Sequence, residues 1–229
     1  MIAVPYRIER YRGHTVLAYP AASKPVVADC GAHKGEFSAA VNRAWGAVCH
    51  AAEPTPGLFR GLAIAPPGKA YNFAIFGTDG HVSFKLSDNP EASSIVEEGD
   101  NGSVQVQARS LSGFLGDIGH VDLLKMDIEG AEIAAFDNLS DADLQRIGQI
   151  TVEFHDFCGA ASVSDVKRII QRLKRCGFYA FKFSFFTRGD MLFVNSRLAP
   201  MSIADRVRIG MVHFADKVSS KVRGRGGEH

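Results

Sequence analysis

With 229 residues, 46% hydrophobic and 22% charged, the chain has the length and composition of a single soluble α/β domain with a buried core. Its 26 basic and 25 acidic side chains leave a formal net charge of +1, which argues against a global field for nucleic acid or an anionic membrane. Cys30, Cys49, Cys158 and Cys176 are dispersed, with no C-x-x-C pair, as expected of reduced thiols rather than a disulfide framework.

Residues 1–25 read as an N-terminal segment. They hold no continuous apolar stretch of signal-peptide length, and no later run approaches a membrane span, so a cytoplasmic protein is expected. Val26 to Cys30 is a short apolar run closing on Asp29, and Gly31 and Gly35 follow it. An amphipathic stretch from Glu36 to Trp45 completes a strand, a tight turn and a helix facing a ligand. The dinucleotide fingerprint requires glycines where this turn has His33 and Glu36, and a carboxylate beside the turn suits a cationic ligand better than a pyrophosphate. Val48 to Glu53 is a second strand ending in an acid, about twenty residues beyond the turn, where a βαβ unit places a ribose-binding carboxylate.

Pro56 to Leu62 reads as a helix and Pro66-Pro67-Gly68 as a turn. Tyr71–Phe76 and His81–Leu86, joined through Asp79-Gly80, read as a hairpin. Asp88 to Ser103 is polar and glycine-containing, and is expected to be a long surface loop acting as a lid over the acceptor. Val104–Arg109 is strand-like and Leu111–Ile118 helical. Val121 to Glu129 is apolar enough for an interior strand and delivers Asp127 and Glu129 at a two-residue spacing, on one side of the chain if extended. Helical spacing resumes from Ala131 to Asn138, and Ser140-x-x-Asp143 is a capping box. Gln149 to His155 is a β-branched strand, and Ser164 to Arg175 is an amphipathic helix with Val166, Ile169, Ile170 and Leu173 on its apolar face. Phe178–Phe186 and Met191–Asn195 read as a closing antiparallel hairpin. These elements make up a domain over residues 26–199, followed by a basic helix and tail over 200–229.

In an open α/β sheet the ligand lies outside the carboxyl ends of the strands, the edge that would carry Asp29, Glu53, Asp127 and His155. Each of these residues also has an ordinary structural reading, as a strand-closing acid or a half-buried histidine.

Leu123-Leu124-Lys125-Met126-Asp127-Ile128-Glu129-Gly130-Ala131-Glu132 resembles the signature of the FkbM-type methyltransferases, and Val152-Glu153-Phe154-His155 resembles their later Glu-x-His element. The stretch Asp29 to Ser38 is similar to their first motif and Ala52-Glu53-Pro54 to their second, so the likeness runs from about Val26 to Asn195. The resemblance implies a Rossmann-like class I methyltransferase fold, a mostly parallel sheet with a C-terminal antiparallel hairpin. It also implies S-adenosylmethionine as cofactor and O-methylation of a sugar, glycan or secondary metabolite. Asp29, Gly31, Ala32, Gly35, Glu53 and Asp127 would then bind the cofactor, with Asp127, Glu129 and His155 catalytic and His155 the leading candidate for general base. Asp127, Glu153 and His155 would suit a hard divalent cation, but such sites recruit more carboxylates than the sequence places there, so metal-free chemistry is expected. The expected partner is a small-molecule or glycan acceptor. A nucleotide-fold oxidoreductase and a catalytically silent binding protein are the alternatives.

Overall fold

A computed structural model describes residues 6–85, 94–96, 103–155, 162–184 and 188–211. The chain opens with an antiparallel hairpin, β1 (Ile8–Tyr11) and β2 (His14–Leu17), in the segment for which the sequence predicted no element. It then enters the main sheet through β3 (Val26–Cys30), α1 (Glu36–Trp45), β4 (Val48–Ala52), the short α2 (Pro56–Arg60) and β5 (Lys69–Tyr71). A second sheet follows, from β6 (Ala74–Phe76), β7 (Gly80–Lys85), β8 (Ser94–Val96) and β9 (Ser103–Ser110). After α3 (Leu111–Ile118) the main sheet resumes with β10 (Val121–Met126), α4 (Glu132–Asn138), α5 (Asp141–Gln145), β11 (Ile147–Phe154), α6 (Val163–Arg175), β12 (Phe178–Lys182) and β13 (Arg188–Asn195). Residues 203–211 are helical.

The main sheet has seven strands in the order β12–β13–β11–β10–β3–β4–β5. All pairs from β11 to β5 are parallel, and β13 runs antiparallel to both β11 and β12. This is a Rossmann-like α/β fold with the expected closing antiparallel hairpin. The interior strands are largely apolar because both faces are covered, and polar members such as Asp29, Lys125, Gln149 and Thr151 are themselves buried. On one face Ala28, Leu124, Met126, Ile150 and Val152 pack with Phe114, Phe136 and Ile169 from α3, α4 and α6. On the other, Val27 and Leu123 meet Phe37, Val41 and Trp45 of α1 together with Val16 of β2. The Ser140–Asp143 capping box forms as the spacing predicted.

The predicted hairpin between 71–76 and 81–86 does not form. Tyr71 ends β5 at the edge of the main sheet, and Asn72 Nδ2 donates to the Glu53 and Pro54 carbonyls where the chain leaves it. β6 then begins the second sheet, whose order β6–β9–β7–β8 places β9 between the two strands expected to pair. Asp79, the presumed turn residue, accepts the Ser110 N–H at 2.6 Å and a guanidinium hydrogen bond from Arg109, both at the end of β9. A non-local strand thus displaces the local pairing. Within the expected loop, Ser94–Val96 is a strand and Ser103 begins another, while residues 86–93 and 97–102 lie outside the described residues.

Buried side chains of the main sheet hold β2 in place. Gln149 accepts the Leu17 N–H at 2.8 Å and donates to the Leu17 carbonyl at 3.0 Å, while Asp190 accepts the Thr15 N–H at 3.0 Å and its hydroxyl at 2.6 Å. Replacing Gln149 with Leu should orphan two buried backbone groups and lower unfolding stability by about 2 kcal/mol. Urea titration checks this, and a parental midpoint and slope would mean that the amide does not anchor the hairpin.

Candidate active site at the switch in strand order

β3 pairs with β4 on one side and β10 on the other, so successive connections leave in opposite directions and a crevice opens at its carboxyl end. Gly31 and Gly35 adopt positive φ of 77° and 74°, and a Cβ on Gly31 would overlap the Asp127 carbonyl oxygen. Gly31 is therefore required twice, by its backbone angle and by its contact with the end of β10. The Gly31 and Ala32 N–H groups both donate to the Ala52 carbonyl at 3.0 Å, closing the turn onto β4.

Glu53 is buried at the end of β4. Its carboxylate accepts the His33 N–H at 2.8 Å through Oε2 and the Thr55 N–H at 2.8 Å through Oε1. Two backbone donors fix its orientation, and each oxygen keeps a further acceptor position. Asp29 is fully buried, taking the Ser38 hydroxyl at 2.7 Å with Lys125 Nζ at 3.4 Å from its other oxygen. It braces the turn from behind.

Lys125 is the buried centre of this edge. Its ammonium donates to the Gly31 carbonyl at 2.6 Å and lies 3.4 Å from Asp29 and 3.6 Å from Asp127. Burial alone would lower its pKa; the Asp29 and Asp127 carboxylates outweigh that and raise it, so the group stays charged.

Beyond Lys125 the chain gathers carboxylates around two histidines. Asp127 Oδ2 lies 3.5 Å from His14 Nε2, and Asp127 Oδ1 lies 3.8 Å from His155 Nε2. Glu129 approaches His155 Nε2 at 3.2 Å, and the fully buried Glu132 meets His155 Nδ1 at 2.9 Å. Glu132 Oε1 also accepts the Ile128 and Gly130 N–H groups, so one carboxylate organises the bend after β10 and holds the imidazole. Asp127 and Glu129 do not lie side by side on a strand as expected. β10 ends at Met126, and Glu129 turns with φ of 52°, which brings both carboxylates to His155 by a bend.

Burial alone would push the Asp127 carboxyl up, but Lys125, His14 and His155 hold it well below the carboxylate range. Burial likewise opposes charge on His155, yet the hydrogen bonds its ring donates to the Glu129 and Glu132 carboxylates raise its pKa to about 11. It is an imidazolium at neutral pH, whereas the base role expected from the sequence needs the neutral ring. The Glu153 pKa is raised as well, but here the neutral form is favoured: burial and then Asp127 push it up to about 7. Two overlapping donor sets have their atoms within 4.8 Å of one another, His14–Asp127–Glu153 and Asp127–Glu129–His155. The metal set read from the sequence is thus split between them, and Lys125 and the His155 imidazolium already lie beside its carboxylates.

Asp29, Gly31, Ala32, Gly35, Glu53, Asp127, Glu129 and His155, the residues the sequence singles out, all lie at this edge. Lys125 and Glu132 sit inside the same motif with no local signal for their contacts, and no motif in residues 1–25 points to His14.

The family described as the methyltransferase FkbM domain matches residues 29–179. The chain belongs to this family. The match contains every residue named above except His14. Among curated proteins, the antimetabolite synthetase AmbE of Pseudomonas aeruginosa is 35% identical over 72 residues, which is 31% of this chain and 3% of that protein. The chain therefore spans only a small part of that relative. Solved structures with a likeness include a precorrin-6y C5,15-methyltransferase from Geobacter metallireducens, with 12% identity, TM-score 0.37 and coverage of 75% of this chain and 78% of that one. Another is a putative methyltransferase from an antibiotic biosynthesis pathway of Anabaena variabilis, with 15% identity, TM-score 0.32 and coverage of 71% and 58%. Membership in the family sets the chain among methyltransferases rather than oxidoreductases. No helix among the described residues is long and apolar enough to cross a membrane.

Both shifts are upward, so both make stability fall as pH rises, over different pH windows. His155 has a folded pKa raised to about 11 from 6.5, so its contribution is complete below about pH 6.5 and is lost as pH rises towards 11. The deficit in melting temperature of His155→Gln should therefore be largest below that pH. Glu153 is an acid raised from 4.5 to about 7, so its ionisation opposes folding. Glu153→Gln should melt higher than the parent at pH 8 and equally at pH 4. Melting curves at three pH values check both, and parallel profiles for parent and variants would refute them.

Proposed function

We propose that this chain transfers a methyl group from S-adenosylmethionine to a hydroxyl oxygen of a sugar, glycan or other hydroxylated metabolite. The observation that carries the reading is the pairing, across one strand, of a fixed carboxylate beside a glycine turn with the ionised Asp127 cluster. Glu53 has the acceptor positions for a ribose diol, and Gly31, Ala32 and Gly35 let the backbone approach the cofactor. Asp29 acts through the turn rather than by contact.

The cofactor supplies a methyl on a positively charged sulfur, which leaves as a neutral thioether. Asp127, ionised and partly exposed, suits the neighbourhood of that charge. His155 and Glu129 stand beside it on the acceptor side, the imidazolium favouring negative charge that develops on the acceptor oxygen. Glu153, with its carboxyl near neutrality, is the group matched to taking the acceptor proton. Positioning and proton acceptance together account for the chemistry without a metal, and turnover should persist in EDTA.

Calorimetry with S-adenosylhomocysteine, followed by a methyl-transfer screen over hydroxylated glycans and metabolites, tests the reading. Glu53→Ala should weaken S-adenosylhomocysteine binding by about 1–3 kcal/mol. Gly31→Val should abolish it, because the side chain overlaps the Asp127 backbone. Parental affinity in both variants would sink the cofactor site. Asp127→Asn and His155→Ala should cut turnover by at least about 10²-fold while leaving affinity for S-adenosylhomocysteine, with its uncharged sulfur, near the parent. A chain that binds the cofactor but methylates nothing would be the silent binding protein instead.

A further inference from the structure

His14 is a polar ring in a buried place, only 3% exposed, on a hairpin upstream of the family match. Its two nitrogens face two different strands of the main sheet. Nδ1 lies 3.5 Å from the Thr151 hydroxyl on β11, and Nε2 lies 3.5 Å from Asp127 Oδ2 at the end of β10. The ring edge packs on Phe37 of α1, with centroids 5.7 Å apart at 82°. Contacts from three directions therefore set its orientation. The hairpin that carries it is registered by Gln149 and Asp190, both buried, through Leu17 and Thr15. Thr15 follows His14 directly, so the Asp190 contacts place His14 to within one residue of a doubly bonded anchor.

Asp127 needs such a partner. It lies beyond the end of β10; its N–H still donates to the Cys30 carbonyl at 3.2 Å, but its side chain is 27% exposed and takes its direction from its charged neighbours. Lys125 approaches the same Oδ2 at 3.6 Å from below, and His14 approaches it from the side of the hairpin. With His155 Nε2 3.8 Å from Oδ1, they define which way the carboxylate points.

We propose that His14 is a positioning residue for the Asp127 carboxylate, which makes the N-terminal hairpin a working wall of the methyl-transfer site. The inference rests on the S-adenosylmethionine reading of that site. His14 orients Asp127 towards the place of the transferred methyl. A histidine that merely filled the core would leave ligand preference unchanged when replaced by a residue of similar bulk.

Sinefungin, which carries a C–NH₃⁺ in place of the methylated sulfur, reads out this orientation without an acceptor. Its affinity relative to S-adenosylhomocysteine, measured by calorimetry on the full chain, reports the carboxylate facing the methyl position. The parent should prefer sinefungin by about tenfold, the scale of one charge-assisted hydrogen bond. His14→Leu should lose that preference while keeping its melting temperature and its S-adenosylhomocysteine affinity. His14→Gln, whose amide nitrogen reaches the Nε2 position, should retain most of it. If His14→Leu does not fold, Thr151→Val loosens the ring from the other side and should reduce the preference by about threefold. An unchanged preference in His14→Leu, or in Thr151→Val where that is the folded variant, overturns the assignment. A parent that binds both ligands without preference overturns it as well. A parent that binds neither removes the cofactor reading, and His14 falls with it.

Discussion

One buried ammonium holds the functional edge together. Lys125 sits under the switch in strand order, donating to the carbonyl of the glycine turn while it neutralises Asp29 behind that turn and Asp127 in front of it. Taking three charges out of water costs several kcal/mol and is tolerable only because each finds a partner. Removing the lysine would leave two carboxylates without their cation, a loss on the order of 3–5 kcal/mol that would fall on the ligand turn itself. Conformation of the turn and ionisation of the site are thus set by the same group.

The rest of the site is organised by pushing like groups apart. Asp127 is held ionised by Lys125 and the two histidines, whereas Glu153, without comparable compensation and facing Asp127, is driven towards its neutral form. His155 is driven the other way, since Glu129 and Glu132 grip both ring nitrogens. Adjacent groups of similar chemistry thereby acquire different tasks: one fixed anion, one fixed cation and one carboxyl that exchanges protons near neutrality. Burial pushes the Cys30 and Cys49 thiols up, and both are free, so neither is poised as a nucleophile beside this site.

Additions outside the core α/β frame reach the site from two directions. The second sheet replaces a simple crossover between β5 and β10, and its β6 end meets α4, the helix that supplies Glu132. The N-terminal hairpin covers the opposite face and fills it with polar contacts from β11 and β13. Asp190 is tied to β2 just where the β11–β13 register shifts opposite Glu153.

The sequence by itself determined the parallel frame, because runs such as Val26–Cys30 and Val121–Met126 carry apolar residues towards both faces, and only a doubly covered strand accommodates that. It also determined the glycine turn, the acid closing β4 and the capping box, since each is a local pattern with a local cause. Only the tertiary structure decided that β9 separates β6 from β7, because an Asp-Gly turn cannot register a strand more than twenty residues away. Only the tertiary structure gave Lys125 and Glu132 their roles and brought His14 to Asp127, across a sequence separation that no motif spans. The protonation states were decided there too, because they depend on which charges share a low-dielectric space and not on the residue type alone.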